Sequence, residues 1–364
     1  MIDTKIEKTK DSISDLNSLA HFINQSFSDE ESKCRGIFKW ISFHIDYDIN
    51  SMYTLNFKAS KQDVLGSLMK DKKAICLGYS YLFDTLCKLT QINSVIITGS
   101  TKQSWFPEPA GHAWNAVKIN NKWSLVDVTW GSGSLLNKKF VRKINDKYFI
   151  ASGKDLSNSH HPIDPIWQLM EYPISLDNFY NPQKKNITQG ENKWNYEDSI
   201  TTFLTDNYTS QLKSQQRRLK ENGTNSSITS DYYIYLENSL RKVYYDKYKV
   251  ATKHLNNAID EYNTYIEFKN HQFSPSKPDE EIEKMIPDIE KEMEWYENIS
   301  LELSLLENED INNSINQNAK NINELKKRLN EEKSFVSLYL STKKNNRRDL
   351  FYKKTYTLFG IPIK

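Results

Sequence analysis

Gly111-His-Ala-Trp-Asn-Ala-Val-Lys-Ile-Asn-Asn-Lys-Trp-Ser-Leu-Val-Asp-Val-Thr-Trp130 reads as a β-hairpin. Two apolar-rich strands, Gly111–Ile119 and Trp123–Trp130, flank Asn120-Asn121. An Asn-Asn pair suits a two-residue turn that needs positive φ at both positions. Such a turn pairs Ile119 with Lys122, and counting back sets Trp114 opposite Asp127. Side chains alternate along a strand, so His112 shares the face of Trp114. His112 and Asp127 then form a diagonal cross-strand pair within reach of one another. A three-residue loop would move Asp127 opposite Asn115, on the wrong face. The turn therefore predicts an imidazole beside a carboxylate.

The stretch before this hairpin supplies a nucleophile. Lys72-Lys-Ala-Ile-Cys-Leu-Gly-Tyr79 leads from a loop into an amphipathic helix, Cys76–Leu89, with Leu82, Phe83, Leu86 and Leu89 on the inner face. A thiol at a helix N-terminus meets the positive end of the dipole and free backbone N–H groups. Both favour thiolate, and the same N–H groups suit an oxyanion. Lys72 and Lys73 add positive charge nearby. Gly78 leaves room for a substrate or a neighbouring strand. The other two cysteines, Cys34 and Cys87, fall on apolar helix stripes and read as core residues. An odd count of three in a chain of 364 residues is no disulfide framework.

Thiol, imidazole and carboxylate together carry acyl-transfer chemistry. The imidazole moves the proton of the thiol and of the leaving amine, and the carboxylate orients the ring and steadies its charged form. Trp114 and Trp130 read as packing support for this site, and Trp105 and Phe106 as a wall of a substrate groove. His160 and His161 are sequence neighbours whose side chains point oppositely on an extended chain, so no metal site is expected there. No Cys/His spacing suggests zinc, and no glycine-rich loop suggests phosphate. The chemistry calls for no cofactor.

The ordered set "Cys-Leu-Gly-Tyr", "Gly-His-Ala-Trp-Asn-Ala-Val" and "Trp-Ser-Leu-Val-Asp-Val-Thr-Trp" resembles the transglutaminase-like superfamily of papain-like thiol enzymes. Within it the chain is most similar to the kyphoscoliosis-peptidase and cytokinesis-associated branch. Arg35–Asp48 resembles the entry helix of that branch, which ends in Tyr-Asp. Lys147-Tyr-Phe and His161-Pro-Ile-Asp-Pro-Ile-Trp-Gln-Leu169 resemble its trailing segment. The resemblance covers about residues 10–180. It implies Cys76 as nucleophile, His112 as general base and acid, and Asp127 as the orienting residue. Tyr79 and Asn115 fall within the matching motifs and are read as supporting the site. Related enzymes recruit a Gln, Trp or Tyr to the oxyanion; Tyr47 and Tyr53 are candidates here.

The rest of the chain sets the frame. It is 38% hydrophobic, enough for about two domains. The expected fold class is α+β: a papain/transglutaminase-like core of N-terminal helices on an antiparallel sheet, then an all-α antiparallel bundle or coiled coil. Ser94–Thr98 and Tyr148–Ile150 read as further strands. Composition shifts near residue 190, with seven of the 8 tryptophans before residue 195. Domains are expected at 1–185 and 196–355, joined by a polar linker at 186–195 and followed by a tail at 356–364. Apolar residues at helical spacing run through Tyr248–Tyr265, Met293–Leu306 and Ile315–Leu329.

The expected partners are a protein or peptide substrate and a protein docked on the helical half. A net charge of +2 gives no pull toward nucleic acid, and no stretch is apolar for the roughly 18 residues that span a bilayer. The N-terminus has no apolar h-region, which reads as cytoplasmic; a leader already removed would leave the same start in a secreted chain. Two functions compete: a cysteine-dependent enzyme working on amide bonds through a thioester, as peptidase, deamidase or transglutaminase, and a non-catalytic interaction protein using its helical half.

Overall fold

A computed structural model of the chain describes residues 2–9, 13, 15–52, 60–102, 110–181, 193–305, 308–352, 357–358 and 361–362. The chain divides into two units, Met1–Asn238 and Ser239–Lys364.

The first unit begins with three helices, α1 (Ile2–Glu7), α2 (Leu16–Ser26) and α3 (Glu30–His44). Asp15 and Asp29 cap α2 and α3, each accepting from backbone N–H groups of the first turn. A two-residue strand, β1 (Asp46–Tyr47), runs parallel to β2 (Lys73–Ala74). Between them lies α4 (Lys61–Asp71), whose capping box pairs Ser60 with Asp63. Next comes α5 (Cys76–Leu89), with the bounds that the sequence predicts.

The main sheet contains β3 (Asn93–Thr101), β4 (Ala110–Ile119), β5 (Lys122–Val126) and β8 (His160–Pro162) in the order β5-β4-β3-β8, every pair antiparallel. Ile119 pairs with Lys122, and Asn120 and Asn121 have φ of 49° and 64°. The turn is the one its Asn-Asn pair predicts. The second strand, however, is shorter than expected. It ends at Val126, and Asp127 caps a short helix, α6 (Val128–Ser132), by accepting from Trp130 N–H. The helix competes successfully because Asp is a good N-cap and a poor strand residue. A hairpin of β6 (Gly133–Leu136) and β7 (Lys139–Arg142) follows. The strand expected at Tyr148–Ile150 is instead a 3-10 turn, Asp146–Tyr148, with a single bridge between Leu125 and Ala151. The short helices α7 (Gly153–Leu156) and α8 (Leu176–Tyr180) flank β8.

Two apolar clusters grip the sheet. Val117, Ile119 and Val126 pack with Ile37, Phe38, Ile41, Leu82, Phe83, Leu86, Cys34 and Cys87 of α3 and α5. Full burial of each large side chain is worth about 1.5–3 kcal/mol. The opposite face carries Trp114, Ala116 and Leu125 against Trp167, Ile166, Ile200 and Phe203. The last two residues belong to α9 (Tyr196–Thr205), followed by α10 (Tyr208–Asn222). These helices pack in the first unit, whereas the sequence places them beyond a linker in the second. The division falls later, within α11 (Ser227–Asn270). Most of the expected linker lies outside the described residues. A buried, two-pronged ion pair fastens α10: Arg218 Nε and Nη2 donate to Asp164 at 2.7 Å each.

The second unit is the expected antiparallel helical bundle. Ala251, Leu255, Ala258 and Tyr265 of α11 pack with Ile286, Ile289, Met293 and Tyr296 of α12 (Asp279–Ser304) and with Ile322, Leu329 and Val336 of α13 (Glu309–Ser341). Lys333 meets Glu290 and Lys326 meets Glu297, so the residue numbers run in opposite directions. Of the expected tail, Thr357–Leu358 and Ile361–Pro362 form a small antiparallel pair. No helix among the described residues is long and apolar enough to cross a membrane.

Candidate active site

Cys76 is the first residue of α5, after Ile75 at the N-cap. The peptide N–H groups of Gly78 and Tyr79 both bond Ile75 O. Those of Cys76 and Leu77 have no acceptor within the helix, as at any helix start. The thiol hydrogen-bonds the His112 imidazole and lies by the Ala113 N–H. His112, near the start of β4, turns its other nitrogen, Nε2, to Asp127 Oδ2 at 3.0 Å. The three residues that the sequence singles out converge in one place, with sulfur facing imidazole and imidazole facing carboxylate.

The electrostatics follow from this geometry. Burial disfavours the Cys76 thiolate, but the charged His112 ring and the Ala113 N–H outweigh it, and the thiol falls below its ordinary range. Burial also opposes a charged His112. Asp127 and the Cys76 sulfur reverse that and push the ring up to about 10. For Asp127 burial alone would raise the carboxyl. The His112 ring and hydrogen bonds from His112 and His160 hold it well below the carboxylate range. The geometry therefore favours a thiolate–imidazolium pair next to a carboxylate.

The supporting residues divide. Trp114 and Trp130 pack on the His112 ring, with centroids 6.0 and 5.6 Å from it. Gly99 makes room for Trp114, since a Cβ there would lie 2.5 Å from its ring. Tyr79 is fully buried and donates to Ile45 O at 2.7 Å. Asn115 Nδ2 donates to Ser80 O, tying β4 to α5. Both are structural ties rather than groups on the thiol. Gly78 admits no substrate: a Cβ there would stand 2.6 Å from Ala74 Cβ, so it serves the packing of α5 on β2. The Lys72 ammonium lies 5.4 Å over the Trp40 ring, and the positive charge acting on Cys76 is that of His112. Tyr47 pairs with Ala74, two residues before Cys76. Tyr53, Trp105 and Phe106 lie outside the described residues.

Sequence reasoning missed one member of the cluster. His160 Nε2 also lies 3.0 Å from Asp127 Oδ2. Its ring stands 4.6 Å from Trp130 and 5.7 Å from His112. The signal was the alternation of His160 and His161 on an extended strand. His161 indeed points away, to Ile174 O. The missing information was the pairing of β8 with β3, which sets His160 on the face of His112.

The model of the transglutaminase-like superfamily matches residues 17–128. This stretch is a transglutaminase-like domain. Its relatives belong to the kyphoscoliosis-peptidase branch. Kyphoscoliosis peptidase of Mus musculus is 33% identical over 177 residues, which cover 46% of this chain and 26% of that protein. Hillarin of Drosophila melanogaster is 25% identical over 169 residues, 41% of this chain and 20% of that protein. The chain thus spans about a quarter or less of the length of these relatives. A solved structure described as a TGase is 22% identical and covers 37% of this chain and 36% of its own, with a TM-score of 0.26. The transglutaminase-like domain contains Cys76 and His112 and extends to Asp127 and α6.

Proposed function

We propose that the chain is a cysteine-dependent acyl-transfer enzyme working on amide bonds of proteins or peptides. The observation that carries this reading is the line Cys76–His112–Asp127, with a half-buried thiol facing a buried imidazole and the imidazole bonded to a buried carboxylate. The Cys76 thiolate attacks the amide carbonyl carbon, and the carbonyl electrons move onto oxygen. The N–H groups of Cys76 and Leu77 at the start of α5 face the resulting oxyanion. When the tetrahedral species collapses, the C–N bond breaks, His112 gives its proton to the departing amine, and a thioester remains. His112, now neutral, takes a proton from an incoming water or lysine amine. That nucleophile attacks the thioester, the C–S bond breaks, and the thiolate–imidazolium pair is restored.

Water as acceptor gives a peptidase or deamidase, and an amine gives a crosslink. The name of the mouse and human relatives, kyphoscoliosis peptidase, favours hydrolysis. A scaffold role would leave no physical reason to align a half-buried thiol with a buried imidazole and a buried carboxylate. The test is a proteome incubated with the full chain, using Cys76→Ala as blank, with cleavage, deamidation and isopeptide crosslinks read by mass spectrometry. New termini or Gln-to-Glu changes specific to the wild type are expected. Identical product sets from the two proteins would remove the enzymatic reading.

A further inference from the structure

We propose that His160 is a positioning residue of this site: its Nε2–H donates to Asp127 Oδ2 beside the His112 bond, fixing the carboxylate and limiting its hold on the catalytic ring. The inference rests on the Cys–His–Asp reading given above.

Proton bookkeeping fixes the roles. An ionised carboxylate only accepts hydrogen bonds. Both imidazoles that reach Asp127 must therefore carry their proton on Nε2, at 3.0 Å each. For His160 this leaves Nδ1 as an acceptor, and the Ser159 hydroxyl stands 2.8 Å away to donate to it. The same hydroxyl also lies 3.3 Å from Leu156 O, so it is Asp127, at Nε2, that selects the tautomer. Asp127 Oδ1 is taken by Trp130 N–H at 3.1 Å. The carboxylate has three donors on two oxygens and no freedom to rotate.

The two imidazoles differ in charge. Burial drives His160 below its ordinary range, and Asp127 does not compensate, while His112 and Lys147 oppose a second positive charge. Tyr148 is a further titratable neighbour, its ring 6.1 Å away, and the adjacent His161 turns from the site to Ile174 O. A neutral donor on Asp127 draws off part of its negative charge. The His112 imidazolium is then held less tightly and releases its proton more readily to a departing amine. Trp114 and Trp130 meet the His160 ring edge-on at 5.1 and 4.6 Å, which keeps it in place.

The test uses the full chain with 15N-labelled histidine and follows each imidazole by NMR against pH. In the wild type His160 is expected as the neutral Nε2–H tautomer at neutral pH, with His112 doubly protonated. His160→Leu removes the donor and raises the His112 midpoint by about half a unit or more. His160→Gln keeps an N–H donor near the same place and restores the wild-type midpoint. Ser159→Ala, a milder change that spares the buried ring, shifts His112 in the direction of the Leu variant. Equal His112 midpoints in wild type and both the Leu and Ser159→Ala variants would overturn the role of His160, as would a doubly protonated His160 at neutral pH. A wild-type His112 that titrates near the ordinary value of about 6.5, unchanged by Cys76→Ala, would instead overturn the underlying site reading.

Discussion

Asp127→Asn is expected to lower turnover by on the order of 10³–10⁴-fold while the chain stays folded, measured on whichever amide substrate the proteome comparison yields. Loss of the orienting carboxylate from a nucleophile–imidazole pair costs about this much where the amide admits the wrong tautomer. The cost is compounded here by the donors around the group. Asp127 accepts from His112 and His160 on one oxygen and from Trp130 N–H on the other. An asparagine must aim its NH2 group at one of these sets. If it faces the imidazoles, both lose their acceptor; if it faces Trp130, the cap of α6 is lost. Unchanged near-ultraviolet circular dichroism together with unchanged turnover would show that the carboxylate is dispensable.

Arg218→Ala should destabilise the first unit by roughly 3–5 kcal/mol, the range for removing one partner of a buried ion pair. Arg218 and Asp164 are 7% and 5% exposed, and their two bonds are 2.7 Å each. Burial pushes the Asp164 carboxyl up and Arg218 pulls it down, with burial the stronger influence. Without the guanidinium the carboxylate would have to protonate or draw water inward. The guanidinium also lies 5.4 Å over the Phe203 ring of α9. Asp164 lies two residues beyond the end of β8, the strand that carries His160. Tryptophan fluorescence during urea unfolding reports this unit, since seven of the 8 tryptophans precede residue 195. Replacing the pair by Arg218→Met with Asp164→Leu should recover much of the loss. A shift below about 0.5 kcal/mol for Arg218→Ala, the size expected of an exposed pair, would show that the bond contributes little.

The sequence makes the hairpin and the triad legible for one reason: both rest on short-range rules. Asn120-Asn121 fixes the turn, the turn fixes the register, and the alternation of side chains places His112 toward Asp127. Helix α5 is equally local, since its apolar spacing and preceding loop set Cys76 at its start. What stays hidden depends on pairing across long stretches of chain. His160 joins the site only because β8 adds to β3 beyond β4. Helices α9 and α10 look like the start of the helical half, being polar and periodic. The apolar residues Ile200 and Phe203 of α9 are nevertheless claimed by the sheet face around Trp114. The strand read through Trp130 failed at Asp127, where a capping side chain outweighed an apolar run. Gly78 shows the opposite error: a missing side chain near a nucleophile suggested space for substrate, and the space is filled by Ala74.

The pH window follows from the charges. A thiolate forms above the lowered range of Cys76, and the imidazolium persists until pH approaches about 10. Turnover should rise on the acid side, hold through neutrality and fall as His112 loses its proton. Cys87 behaves oppositely: burial and the adjacent Cys34 raise its thiol well above the ordinary range. The most direct measurement is the rate of iodoacetamide alkylation at each cysteine of the folded chain between pH 4 and 9, resolved by peptide mass spectrometry. Cys76 should react at an almost constant rate from well below the ordinary thiol range, about 8.5, with Cys34 and Cys87 protected throughout. A Cys76 rate that climbs only as pH passes about 8.5, or three cysteines that react alike, would contradict a thiolate held by His112.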